Sequence, residues 1–480
     1  MSRRCRLPSF LKRGVPALLA VCFAGCLVGP DYKRPPVAQP QAFKSPPAEP
    51  ASTAPAIAPE WWQTYRDPDL DRLIATATAS NQTLQQAVAA VDQARAVARV
   101  AASFLSPTIS TNPTFTRERT SGTRTSTFTG APVGTSTTVT DWLVPVDLTY
   151  EVDVWGRVRR GLESARAQAV ASADDEAAVR LMVQTDVAQF YYTLRLLDAQ
   201  TDILKETVAS YREQVRILTV QVRTGLTGPI ALSQAEALLQ STLALLQDAE
   251  RARADQEHAL AVLCGQPAPT FSVPVSPLRE VSPPEIPVGM PAMLLARRPD
   301  VAAAEQLVVA ANAQIGVAMA AFYPQFSLSS FVGFESANLR NLFEWKSAIA
   351  SFVGGLSQPI FEGGRLKANL AATRAQYRQT VAAYVNQVLI AYADVEDALT
   401  DLHAYTGEAN DLRQAVAASQ EYLRLAQTQY RIGLVDYLTV TDAERTLLAN
   451  QLRLAQNTNL QVGASIHLIK ALGGGWEGGP

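Results

Sequence analysis

Two halves of this chain repeat one another at a fixed spacing of 208 residues. Gly156-Arg157 returns as Gly364-Arg365, Asp186-Val187 as Asp394-Val395, Gly225-Leu226 as Gly433-Leu434, Glu236 as Glu444 and Gly265 as Gly473, all in one register. A duplication of this length makes each half one structural unit built to pack beside its copy. A further pair, Phe104-Leu105-Ser106-Pro107 and Ala321-Phe322-Tyr323-Pro324, stands 217 residues apart, so the halves differ by a small deletion. Each half reads as helix, Pro, strand region, Gly-Arg, long helix, Gly, long helix.

The apolar residues inside the repeat carry a coiled-coil period. Phe190, Leu194, Leu197, Thr201, Leu204, Val208, Tyr211, Val215, Leu218 and Val222 advance by alternating steps of four and three. Leu402, Tyr405, Ala409, Leu412, Val416, Ser419, Leu423, Ala426 and Tyr430 occupy the same frame in the second half. A period near 3.5 sustained this far requires helices packed along their length. The stretch from Arg159 to Gly225 would run roughly 100 Å as one helix. Glycine permits the positive φ of a helix end, so the turns near 225 and 433 predict two long helical hairpins. Heptads alone also fit an antiparallel coiled-coil spacer.

Between the helices lie strands. Trp142, Val144, Val146, Leu148, Tyr150 and Val152 alternate with Asp147, Thr149 and Glu151, which suits a barrel wall between lipid and water and equally a soluble β-sandwich. Phe326, Leu328, Val332 and Phe334 repeat the pattern, and 347–361 supplies another strand. Hydrophilic tips such as Arg117-Glu118-Arg119-Thr120-Ser121-Gly122 lie between them. Hairpins at 108–153 and 325–361 give four strands, too few to close a barrel, and an open edge cannot face lipid. Several chains must therefore share one barrel.

The N-terminus reads as an address. Arg3, Arg4, Arg6, Lys12 and Arg13 precede a short apolar run and Phe23-Ala24-Gly25-Cys26, a secretory signal over 1–25 whose end resembles a bacterial lipobox. That predicts cleavage before Cys26, lipid on its sulfur and amino terminus and, with Leu27 following, passage to the outer membrane. Cys5 and Cys22 leave with the signal, which leaves Cys264 alone and no internal disulfide. The Pro-rich stretch 26–60 predicts an extended tether. The first repeat then spans 61–265, a Pro-rich linker 266–297, the second repeat 298–475 and a tail 476–480.

Composition closes off other classes. With 18% charged residues and a net charge of -2, the chain lacks the basic excess that nucleic-acid binding needs. His258, His403 and His467 lie far apart without partners at metal-ligand spacing, and no nucleophile or phosphate-binding motif occurs, which argues against a metal site and against an enzyme. Outside the N-terminus no run of about 18 apolar residues suggests a membrane-spanning helix. Met290 and Met293, two of only five methionines, sit in the linker and give no soft-metal relay, which tilts the cargo toward organic molecules.

Taken in order, Gly25-Cys26 with Gly29-Pro30-Asp31-Tyr32, Trp61-Trp62 with Asp67-Pro68, Gly156-Arg157, Arg298-Pro299-Asp300, Gly363-Gly364-Arg365, the Gly433 turn with Asp442-Ala443-Glu444-Arg445, and Gly473-Gly474-Gly475-Trp476 resemble the TolC-like outer-membrane efflux factors, in their lipidated OprM/NodT-type branch. The resemblance implies a fold of α-helices plus membrane β: a homotrimer sharing a 12-stranded barrel in the Gram-negative outer membrane, four strands per chain, above a coiled-coil tunnel in the periplasm. It implies a passive channel, with no cofactor beyond the lipid on Cys26, fed by an inner-membrane efflux pump through a periplasmic adaptor. The turns at Gly225-Leu226 and Gly433-Leu434 become the adaptor-docking tips. Asp442 and Leu438 become the periplasmic constriction, with Arg445 tying neighbouring helices together; Gln234, the repeat-equivalent of Asp442, is neutral, and Thr439 is uncharged where some relatives carry a second acid. The competing reading is a poreless, periplasm-spanning adaptor lipoprotein.

Overall fold

The computed structural model describes residues 27–44, 57–123, 136–276, 284, 286, 288 and 297–476. The predicted signal, Cys26 and the end of the tail lie outside the described residues, as do Met290 and Met293. In chain order come α1 (Pro68–Ser80), α2 (Gln82–Ser103), β1 (Thr108–Ser110), β2 (Thr114–Arg119), β3 (Thr138–Val152), α3 (Arg157–Arg223), α4 (Pro229–Leu263), α5 (Pro299–Ala320), β4 (Gln325–Ser336), β5 (Ala348–Ser357), α6 (Arg365–Arg431) and α7 (Tyr437–Ala471). The duplication is literal: α3 and α6 both have 67 residues, α4 and α7 both 35, and α2 and α5 both 22. The long helices keep the 208-residue offset, whereas α2 and α5 stand 217 apart, so the deletion falls in the second β-hairpin.

The chain divides into two compact units. The first, built from 92–171, 305–383 and the segment up to Pro35, holds the sheet. Its strands are all antiparallel in the order β1/β2, β3, β4, β5, with β1 and β2 both pairing with β3. These two form one rod interrupted at Thr111-Asn112-Pro113, opposite Pro145, which has no N–H for a ladder bond. The Thr111 hydroxyl donates to the Pro145 carbonyl at 2.6 Å and holds the break together. Four rods result, as the strand count from sequence expects.

The second unit, 36–91, 172–304 and 384–480, holds the hairpin packing. Every residue of both heptad frames after Phe190 is buried or half-buried, and Phe190 is half-buried too. Leu218 of α3, Ala235 of α4, Ala426 of α6 and Tyr437, Val440 and Ala443 of α7 form one cluster, the alanines letting helix backbones approach closely. A larger core gathers Trp61, Leu70, Ile74, Tyr191, Tyr192, Leu194, Leu260 and Cys264. Asp67 caps α1 by accepting from the Asp69 and Leu70 amides, and it also accepts from the Tyr191 hydroxyl at 2.8 Å. In Arg298-Pro299-Asp300, the guanidinium bonds Asp300 at 2.6 Å and Asp394 at 2.9 Å, which pins the start of the second repeat to α6.

Helix α5 corrects one expectation, because an 18-residue stretch of it has a mean hydropathy of 1.3 and is long and apolar enough to cross a membrane. Half of that stretch is buried, and the reason for its alanines is packing. At Gly316 the backbone meets Gly29 so closely that a Cβ on Gly29 would lie 2.5 Å from the Gly316 Cα.

The repeated glycines differ in what they do. Gly225 and Gly433 close α3 and α6 at φ 73° and 77°, with the Leu226 and Leu434 amides donating back to the Gln221 and Gln429 carbonyls at 2.8 and 2.9 Å, and nothing crowds their Cα hydrogens. Gly473 closes α7 at φ 94° with a would-be Cβ 1.9 Å from the Arg297 carbonyl oxygen. Gly225→Ala is therefore expected to cost only the left-handed strain of about 1 kcal/mol, while Gly473→Ala must displace backbone and prevents native folding. Thermal unfolding by circular dichroism checks the pair; equal midpoints would contradict the steric distinction.

Candidate functional site

The register assigns each strand residue to a face. Directly paired residues share a face, so Phe115↔Trp142↔Ser336 and Val146↔Val332↔Ala350 belong to one side and Asp147↔Phe331↔Ser351 to the other. One face carries Ile109, Phe115, Trp142, Val144, Val146, Leu148, Tyr150, Val152, Phe326, Leu328, Val332, Phe334, Phe352 and Leu356, many of them exposed. From Trp142 to Val152 this band runs about 34 Å along the strand and stands about 25 Å tall at a barrel's tilt, the height of an outer-membrane apolar band. Aromatic pairs mark its ends: Phe115 with Trp142 at 4.3 Å, and Trp155 stacked on Tyr323 at 4.8 Å. The opposite face is mostly polar, with Glu118, Asp141, Asp147, Glu151 and Glu335 among threonines and serines, no lysine or arginine, and Val139, Leu143, Phe331, Ile349 and Val353 interspersed. Glu151 is fixed by a two-bond pairing with Arg157 at 2.8 and 2.5 Å.

The described segment after Cys26, within the stretch expected as an extended tether, carries no helix or strand and is held against the protein. The Val28 amide donates to the Trp155 carbonyl at 3.1 Å, and Asn312 of α5 donates to the Pro30 carbonyl at 2.9 Å. Arg160, its side chain only 3% exposed, bonds Asp31 and Glu163 at 2.8 Å each. Glu305 accepts from the Tyr32 hydroxyl at 2.9 Å and pairs with Arg34. Leu27 lies against Gly156, four residues past the end of β3. A lipid on Cys26 would thus start beside the strand end that leaves the apolar band.

At the far ends of the hairpins, Gly225-Leu226 and Gly433-Leu434 stand at the turn apices, with Leu226 79% and Leu434 71% exposed. Ile230 and Ile432 extend this apolar surface. Leu438 and Asp442 are exposed on α7, one turn apart, and Asp442 accepts from the Tyr422 hydroxyl of α6 at 3.2 Å. Arg445 is exposed and makes no ion pair among the described residues.

Glu444, which adjoins these residues, looks ordinary in sequence and is only 6% exposed. It accepts a hydrogen bond from the Gln214 amide of α3, and the Tyr437 hydroxyl donates to the other end of the same amide at 2.7 Å. The signal was present: Tyr437, Thr441, Glu444 and Leu448 advance by four, three and four, so a carboxylate occupies a core slot of the heptad. The equivalent Glu236 is exposed. Burial pushes the Glu444 carboxyl up from 4.5 to about 7, against the opposing effect of hydrogen bonds from Gln214 and Gln427. Its folded pKa exceeds the unfolded one, so its contribution is full below about pH 4.5 and is lost as pH rises through 7, a loss of about 3 kcal/mol. Glu444→Gln is expected to abolish this fall between pH 5 and 7.5 in thermal midpoints; an unchanged pH profile would show that another group titrates.

Residues 73–266 and 290–474 match the outer membrane efflux protein family. The chain is 31% identical over 468 residues to the toluene efflux pump outer membrane protein TtgF of Pseudomonas putida, covering 96% of each chain. It is 30% identical over 464 residues to the cation efflux system protein CusC of Escherichia coli, covering 96% of this chain and 98% of CusC. Its structure superposes on the outer-membrane channel OprN with a TM-score of 0.86 at 26% identity, covering 94% of this chain and 99% of OprN. A repeat of long helical hairpins joined to a two-faced β-sheet, matched across both halves, makes this chain a member of the outer membrane efflux protein family and an outer-membrane channel of that kind.

Proposed function

We propose that three copies of this chain close one 12-stranded barrel and one helical tunnel, and that the assembly passively conducts small molecules which an inner-membrane pump delivers through a periplasmic adaptor. The observation that carries this reading is the sheet itself. It pairs one apolar face with one acid-bearing, mostly polar face and leaves both edges, β1/β2 and β5, without a partner strand among the described residues. Each unpaired backbone group in hydrocarbon costs several kcal/mol, so the edges must meet those of other copies.

Within this reading, Leu226, Leu434 and the isoleucines beside them form the adaptor-docking tips, with Gly225 and Gly433 setting their turns. Leu438 and Asp442 narrow the bore, three symmetry-related carboxylates favouring cations, and Arg445, without an ion pair among the described residues, reaches a neighbouring chain. Cys26 carries the lipid, a proposal supported by the docking of residues 27–34 beside the membrane end of β3. No residue is assigned a catalytic role. Relatives named for toluene and for cations are similar to this chain to nearly the same degree, which supports a conduit that leaves selection to the pump.

Planar-bilayer recording of the purified trimer tests the conduit and gate together. Small cation-selective channels are expected, and Asp442→Ala is expected to raise conductance severalfold and weaken selectivity. Unchanged conductance would remove Asp442 from the constriction, and silent, well-folded trimers of both forms would refute the conduit. Cys26→Ser is expected to abolish metabolic labelling with palmitate; persistent label would place the lipid elsewhere.

A further inference from the structure

The outward face of the sheet carries two charges. Arg117 and Arg119 of β2 pair with Thr140 and Thr138 of β3, on the same face as Phe115 and Trp142, and they lie beyond that aromatic pair on the hairpin side, away from the helices. Every other strand residue on that face is apolar, glycine, serine, threonine or tyrosine. The nearby acids point the other way: Glu118 alternates with the two arginines, Asp141 pairs with Thr116, and Glu335 pairs with Leu143. Both guanidinium-bearing residues are exposed. Arg117 makes no hydrogen bond or ion pair among the described residues, and Arg119 has only a 3.3 Å contact with the Ser136 hydroxyl.

We infer that Arg117 and Arg119 bind the phosphate groups of outer-leaflet lipid, gripping the barrel at the rim of the membrane. Depth supports this partner. At about 3.4 Å per residue the two arginines lie about 7 and 14 Å along the strand from Phe115, or about 5 and 10 Å in height at a tilt near 45°. The headgroup layer beyond the hydrocarbon is about 5 to 8 Å thick on each side, which puts Arg117 within it and Arg119 at its outer edge. Chemistry supports it too, since a guanidinium fork matches a phosphate with two parallel hydrogen bonds and the threonine hydroxyls opposite add further donors. The surface continues the lipid-facing band, so a lipid whose chains lie on Trp142 and Val144 carries its phosphate to the arginines.

The test titrates the detergent-solubilised, full-length trimer with bisphosphorylated lipid A and reads bound lipid by native mass spectrometry. Arg117→Gln/Arg119→Gln is expected to bind about tenfold more weakly, the loss of a charged hydrogen bond or more, while Arg117→Lys/Arg119→Lys retains most of the affinity and added salt weakens the parent. Dephosphorylated lipid A is expected to bind the parent as weakly as the glutamine variant does. Equal binding by parent and glutamine variant, or by both lipids, would overturn the proposal and leave only the apolar band. Displacement by inorganic phosphate at the lipid's own concentration would reduce it to a free-ion site and also overturn it. Should the glutamine variant fail to assemble, Thr140→Glu keeps both arginines and sets a carboxylate opposite Arg117; its full retention of lipid A binding would overturn the proposal equally.

Discussion

An unpaired backbone amide or carbonyl in hydrocarbon costs several kcal/mol, and the sheet of this protein has two edges without a partner strand among the described residues. That constraint orders the rest of the molecule. It requires copies of the chain to join edge to edge, and closure turns one face of the sheet toward lipid and the other toward a water-filled bore. It also explains why the strand charges segregate between faces, with all the acids on one side and only Arg117 and Arg119 on the other.

The helical repeats meet a different demand. Long helices gain most of their stability from packing along an apolar seam, and duplicating one hairpin supplies two seams of matching length. The copies differ in residue type or burial where the gate is proposed. Asp442 corresponds to Gln234 and Tyr437 to Pro229, while buried Glu444 corresponds to exposed Glu236. The second hairpin therefore carries a buried carboxylate held by Gln214 next to an exposed one held by Tyr422, polar bonds that a shift of α7 would break.

The N-terminal segment shows how little regular structure an anchored chain needs. Residues 27–34 form neither helix nor strand, yet buried Arg160 and Asn312 and half-buried Glu305 satisfy its carbonyls and side chains one by one. Gly29 and Gly316 allow the close approach.

Much of this was legible in the sequence because it is local or repetitive. The 208-residue spacing located both hairpins and their glycine turns to the residue, the four-three steps named the buried seam, and alternation identified Trp142 to Val152 as a two-faced strand. What only the tertiary structure decided depends on partners distant in sequence. Register across β2 and β3 placed Arg117 and Arg119 outside rather than in the bore, a matter of one residue's shift. Burial of Glu444 follows from α3 crossing it with Gln214, some 230 positions earlier, and its twin Glu236 shows that the residue type alone could not announce it. The apolar character of α5, which the sequence reading passed over, is explained by the segment docked on it. Local periodicity decides which face a residue occupies; only the packing of distant segments decides what that face meets.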